Sequence, residues 1–128
     1  MNLHRALAAT AFCALVAATP PVAAQPAAAD PLDSARWTDM HRSLLDGAPV
    51  EFDERVRVVA PATAENPMQV PVTVDATALP GVQEVLVFAD FNPIVRVLRF
   101  FPEAAPAQLG FRVKLQQSTP VRAAARTV

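Results

Sequence analysis

Very few side chains in this sequence could do chemistry. The 128 residues include one cysteine, Cys13, two histidines, His4 and His41, and no tyrosine, and there are three glycines against 13 prolines. His41 follows Met40, a pairing that suits a soft metal. A metal centre needs three or four converging ligands, and after residue 41 the chain adds only Met68 to that set. A single helical histidine is ordinarily a packing or surface residue. Asp53 and Glu54 are adjacent, so on a strand they point to opposite faces and cannot cooperate as acid and base. Asp90 ends an apolar run just before Asn92-Pro93 and reads as a turn-capping carboxylate. A serine nucleophile would have only His41 as its base. Gly47, Gly81 and Gly110 are too dispersed for a phosphate-binding loop. The sequence therefore predicts no catalytic residue, no cofactor-binding residue, no metal ligand and no enzyme. A formal net charge of −1, from 11 basic and 12 acidic residues, argues against nucleic acid as a partner.

The remaining candidates are surfaces. Arg96 and Arg99 lie within an apolar strand, and Arg112 and Lys114 share one face of another. They read as a solvated strand face, with a basic patch for an acidic partner protein as the alternative. Phe100-Phe101 is either core or an interface anchor. Trp37 reads as the residue that docks a helix on a sheet.

The elements that position these residues follow from periodicity and punctuation. Met1 to Ala24 has the order of a secretory signal peptide: His4 and Arg5, an apolar run from Ala6 to Ala18, then Pro20-Pro21 and small residues ending at Ala24. The apolar run is shorter than a membrane span. Cleavage after Ala24 would leave 104 residues without cysteine and shift the formal charge to −2. The expected location is periplasmic, with no membrane attachment after cleavage. Residues 25–29 read as a flexible linker. A helix is predicted from Asp30 as N-cap and Pro31 as first residue, ending at Gly47. Trp37, Met40, Leu44 and Leu45 lie on one of its faces. Everything after Pro49 reads as strands, at 51–60, 70–75, 84–90, 95–101, 108–116 and 121–128. Pro71 marks 70–75 as an edge strand or a bulge. Val85 to Ala89 is apolar on both faces, as a central strand would be. Leu109, Phe111, Val113 and Leu115 give the clearest alternation of period two.

Six short strands separated by turn signals predict an antiparallel, immunoglobulin-like β-sandwich over 30–128, with one N-terminal helix. The sixth strand runs to Val128 without a closing turn, so the sandwich is expected to be incomplete at its C-terminus.

The block from Val70 to Arg122 resembles the SoxY family. The residues that carry the resemblance are Val70-Pro71-Val72, Leu79-Pro80-Gly81-Val82 and Val87-Phe88-Ala89-Asp90-Phe91-Asn92-Pro93. They continue with Arg112-Val113-Lys114-Leu115 and Thr119-Pro120-Val121-Arg122. Within the family, the chain is most similar to SoxYZ-like carriers associated with quinoprotein dehydrogenases, which have an N-terminal helix like Asp33 to Asp46, with a Trp and a Met-His pair as at Trp37 and Met40-His41, and an acidic-basic strand like Glu51 to Val58. The resemblance implies a periplasmic, non-enzymatic carrier of sulfur compounds or an accessory to such a dehydrogenase. It implies a SoxZ-like sandwich as partner, either separate or fused in a longer chain. It also implies a carrier cysteine on a glycine-rich arm, which this sequence lacks, so the chain is expected to be the front part of a longer protein. The competing expectation is a structural or adhesive immunoglobulin-like periplasmic domain with no small-molecule role.

Overall fold

The computed structural model describes residues 28–128. The expected signal peptide and the first residues of the linker lie outside that range. Of the linker, Ala28 is half-buried, and its carbonyl accepts a hydrogen bond from the Trp37 indole N–H at 2.9 Å.

The element order is α1 (Trp37–Leu44), β1 (Arg57–Val59), β2 (Val70–Asp75), β3 (Val82–Ala89), β4 (Arg96–Phe100), β5 (Gln108–Val113) and β6 (Val121–Thr127). The strands form two antiparallel three-stranded sheets, ordered β1-β2-β5 and β4-β3-β6. The expected sandwich with one N-terminal helix is the observed architecture. Valines at alternate positions make the inter-sheet core: Val70, Val72 and Val74 from β2 meet Val85 and Val87 from β3. Alternation fixes the register, because a one-residue slip would expose that whole set.

A third layer covers the second sheet. Trp37, Met40 and Leu45 pack on Leu86 and Phe88, the residues of β3 that face away from the inter-sheet core. This is why the run from Val85 to Ala89 is apolar at every position: one face meets the first sheet and the other meets α1.

Three expectations are corrected. The helix starts at Trp37 rather than at Pro31. The Asp30 carboxylate instead accepts the N–H groups of Leu32 (3.1 Å) and Ser34 (2.7 Å), closing a turn. Asp33 then takes a left-handed φ of 49°, which an α-helix cannot propagate. Asp46 and Gly47 end the helix with φ of 55° and 63°, as its glycine signal predicted. Second, β2 is the central strand of its sheet, not an edge. Pro71 fits because β1 covers only Thr73–Asp75, so Pro71 has a single neighbouring strand, β5. Third, the strand expected at 51–60 is reduced to Arg57–Val59. Asp53 turns back on Arg55 and forms a local ion pair instead of continuing a ladder.

Phe88 joins sheet and helix and is almost fully buried. Phe88→Ala is expected to lower stability by about 3–5 kcal/mol. The lower urea midpoint should come with an unchanged slope, and the emission of Trp37, the single tryptophan, should shift towards that of exposed indole as α1 loosens. A loss under about 1 kcal/mol would show that the third layer does not depend on this contact.

Candidate functional site

The most chemically distinctive cluster is buried between α1 and the second sheet. Arg122 lies on β6 and points to the side that α1 covers. Its Nε and Nη2 donate to the Asp90 carboxylate at 2.8 and 2.9 Å. Its Nη1 and Nη2 donate to Asp30 at 2.7 and 2.9 Å. The Trp37 ring covers the guanidinium, 5.1 Å from its centroid. The Arg122 side chain is 8% exposed and that of Asp90 0%.

The electrostatics follow from this geometry. The Arg122 hydrogen bonds, with help from the Ser34 and Leu32 N–H groups, outweigh burial and hold the Asp30 carboxyl down at about 2, from an ordinary 3.8. Burial opposes the charge on Arg122, but the hydrogen bonds to Asp30 and Asp90 more than offset it and raise its pKa further. A second, shallower ion pair stands on the same face of the sheet. Arg99 Nε donates to Glu84 at 2.6 Å and lowers the Glu84 pKa, with Arg126 at 3.7 Å adding to the effect.

This cluster is built to hold, not to react. Arg122 has four hydrogen bonds to carboxylates and no open face for an anion. The Asp90 carboxylate is sealed from solvent and cannot exchange protons with a substrate. Sequence analysis read Asp90 as a turn cap; the side chain instead turns inward to Arg122. Asn92 does the stapling. Its amide reaches the Ile94 and Lys114 carbonyls, and its carbonyl accepts the Gln116 N–H. The Phe91 N–H is held by Thr119 Oγ1, and the Asp90 N–H by the Pro120 carbonyl.

The other candidates scatter. Met40 is core, the His41 ring donates through Nε2 to the Ala48 carbonyl at 2.6 Å, and Met68 lies in the loop whose Pro67 carbonyl holds the Leu115 N–H. These three donors do not converge. Asp53 pairs with Arg55 on the surface, and Glu54 is exposed. Phe100 is core, whereas Phe101 is 52% exposed with Arg99 stacked on it at 5.3 Å. Arg96, Arg112 and Lys114 are exposed, and Ile94 is 76% exposed. The site-forming residue that sequence reasoning missed is Arg122. Its one local signal is a cation set against an alanine run with Asp90 at the end of the apolar strand.

Comparisons with known proteins agree with one another. A family model described as "Sulfur oxidation protein SoxY" matches residues 41–128. The sulfur carrier protein SoxY from Chlorobium limicola f thiosulfatophilum has a similar fold, with a TM-score of 0.60 and 23% identity over 70% of this chain and 78% of that one. No curated protein sequence matches the chain.

The buried triad gives a pH signature. Asp30 titrates lower in the folded state, so its contribution is complete above about pH 4 and is lost as pH falls towards about 2. Arg122→Met leaves two buried carboxylates facing each other and should cost about 3–5 kcal/mol at neutral pH. Protonation then relieves the variant, so its stability should rise from about pH 7 to about pH 5, where the wild type does not gain. Urea unfolding across this range checks the sign. Parallel pH profiles for the two proteins would refute the triad's energetic role.

Proposed function

This chain belongs to the SoxY family, and from that premise we propose that it is a non-enzymatic carrier-type protein of sulfur oxidation that works by binding a partner protein. The match over residues 41–128 carries this reading, and the sandwich it shares with a sulfur carrier supports it. The polar groups of the buried cluster are engaged with one another, which suits a binding scaffold better than an active site. The partner proposed is a second, SoxZ-like sandwich. A periplasmic quinoprotein dehydrogenase is the proposed client, on the strength of the Trp37 and Met40-His41 helix and the later motifs. Residues 25–128 contain no cysteine, so the chain is assigned the sandwich's role and not that of the sulfur-bearing thiol.

Export is part of the proposal. Mature protein isolated from its host should begin at Gln25. Co-expression with the SoxZ-type protein of the same genome should give a stable complex by sedimentation and co-purification. A mature chain that keeps Met1, or a sedimentation coefficient unchanged by the SoxZ-type protein, would count against the reading.

A further inference from the structure

Arg96 and Arg99 are three residues apart on β4, a spacing that sets side chains on opposite faces of a regular strand. Here both line one cleft, which covers the outer face of the second sheet. The cause is a β-bulge. Val87 of β3 pairs with Leu98, but the next residue, Phe88, pairs with Arg96, so Val97 is the extra residue. Val97 and Leu98 both pack on the inter-sheet core, and the two arginines that flank them both turn outward. Regular alternation would have aimed Arg96 at the first sheet.

The cleft has a volume of about 690 Å³, within the range of small-molecule sites. Leu86 and Ala124 form its floor. Its opposite wall is the connection that follows α1, with Val50 and half-exposed Phe52. The charged groups that line it are unequally committed. Arg122 is held by Asp30 and Asp90, and Arg55 by Asp53. Glu84 is one buried carboxylate shared by two cations, Arg99 and Arg126, and Arg126 has Asp46 as a second neighbour at 3.6 Å. Among the described residues, Arg99 gives only its Nε to a partner, and the Arg96 side chain has no hydrogen bond or ion pair. The open donors therefore lie on the β4 side, while Glu51, a carboxylate without an ion pair, stands on the opposite wall.

We propose that this cleft binds an apolar organic oxyanion, with its head group on Arg96 and Arg99 and its apolar body against Leu86 and Phe52. Guanidinium N–H groups match carboxylate or sulfonate oxygens in fork geometry. Arg99 is already held in place, by Glu84 at 2.6 Å and by the Phe101 ring at 5.3 Å, so it loses little freedom when it binds. Glu51 repels an anion from the far wall and so fixes which way round the ligand lies. An acidic protein segment fits less well, because a run of carboxylates laid across the cleft would meet Glu51 as well as the arginines.

The test uses the purified full chain with octanoate, octanesulfonate and, as the uncharged control, octanol. Trp37 lines the cleft and reports occupancy by its emission, and calorimetry gives the affinity. One or both anions should saturate, the tighter of them naming the head group, and octanol should bind about tenfold more weakly. Arg96→Gln should weaken anion binding about fivefold and leave octanol unchanged. That variant removes no ion pair among the described residues, so it should unfold at the wild-type urea midpoint. Arg99→Gln should also weaken the anion, and the Arg96→Gln comparison stands even if loss of the Glu84 partner keeps the Arg99 variant from folding. Equal binding of octanoate, octanesulfonate and octanol, no saturable change, or a folded Arg96→Gln variant that binds both anions like the wild type would overturn the proposal. So would Arg96-dependent binding of a capped Glu-Gly-Glu-Gly-Glu peptide without binding of either octyl anion, since the arginines would then be a protein contact. The proposal is independent of the carrier reading: anion binding without a SoxZ-type complex would remove that reading and leave this one.

Discussion

The guanidinium of Arg122 is the constraint on which the third layer depends. It joins β6 to the end of β3 across 32 residues and to the N-terminal turn across 92. A charge this deeply buried is tolerated only when it is paired and its hydrogen bonds are made. Both carboxylates meet that requirement, and the Trp37 ring closes the remaining side. The consequence is positional. Once Asp30 is fixed on Arg122, the chain that follows it must cross the outer face of the second sheet. There Trp37, Met40 and Leu45 cover Leu86 and Phe88. The connection that leaves α1 then runs beside β6, with Asp46 3.6 Å from Arg126, and a cleft lies between it and the outer face of the second sheet.

What the sequence made legible follows from how local each signal is. Alternation is read two residues at a time, so β2 is found at its predicted limits and β4 and β6 lie within a residue of theirs. The central place of β3 was visible as well, because a strand buried on both faces must be apolar on both. The helix start was misread because Asp30 carries a capping signal whatever it caps. Here it caps a short turn, and its carboxylate is also engaged by an arginine far along the chain. Pro71 was misread because whether a proline lies at an edge depends on the length of the neighbouring strand, which β2's own residues do not encode. The triad was invisible for the same reason, since nothing near Arg122 in sequence names Asp30.

The motif Ala89-Asp90-Phe91-Asn92-Pro93 shows how such a signature can be physical without being catalytic. Asp90 anchors inward on Arg122, while Asn92 ties the turn to the strand end at Lys114 and Gln116. Thr119 and Pro120, part of the last stretch that carries the resemblance, accept the N–H groups of Phe91 and Asp90. Three stretches that look unrelated along the chain therefore form one hydrogen-bonded corner. Asp90 and Asn92 are buried there, so the donors and acceptors they engage would be costly to leave without a partner.

The buried triad has little scope to act on a substrate. Catalysis needs groups that bind a transition state better than a ground state, whereas four of the five N–H donors of Arg122 are already given to the Asp30 and Asp90 carboxylates. Among the described residues, exposed apolar surface lies at the periphery, with Phe101 under Arg99 and Ile94 in a stapled turn. A rigid interior suits such a surface to recognition, because a surface that does not move loses little entropy on binding. The arginines of β6 serve that rigidity: Arg122 ties the strand to Asp30 and Asp90, and Arg126 ties it to Asp46 and Glu84.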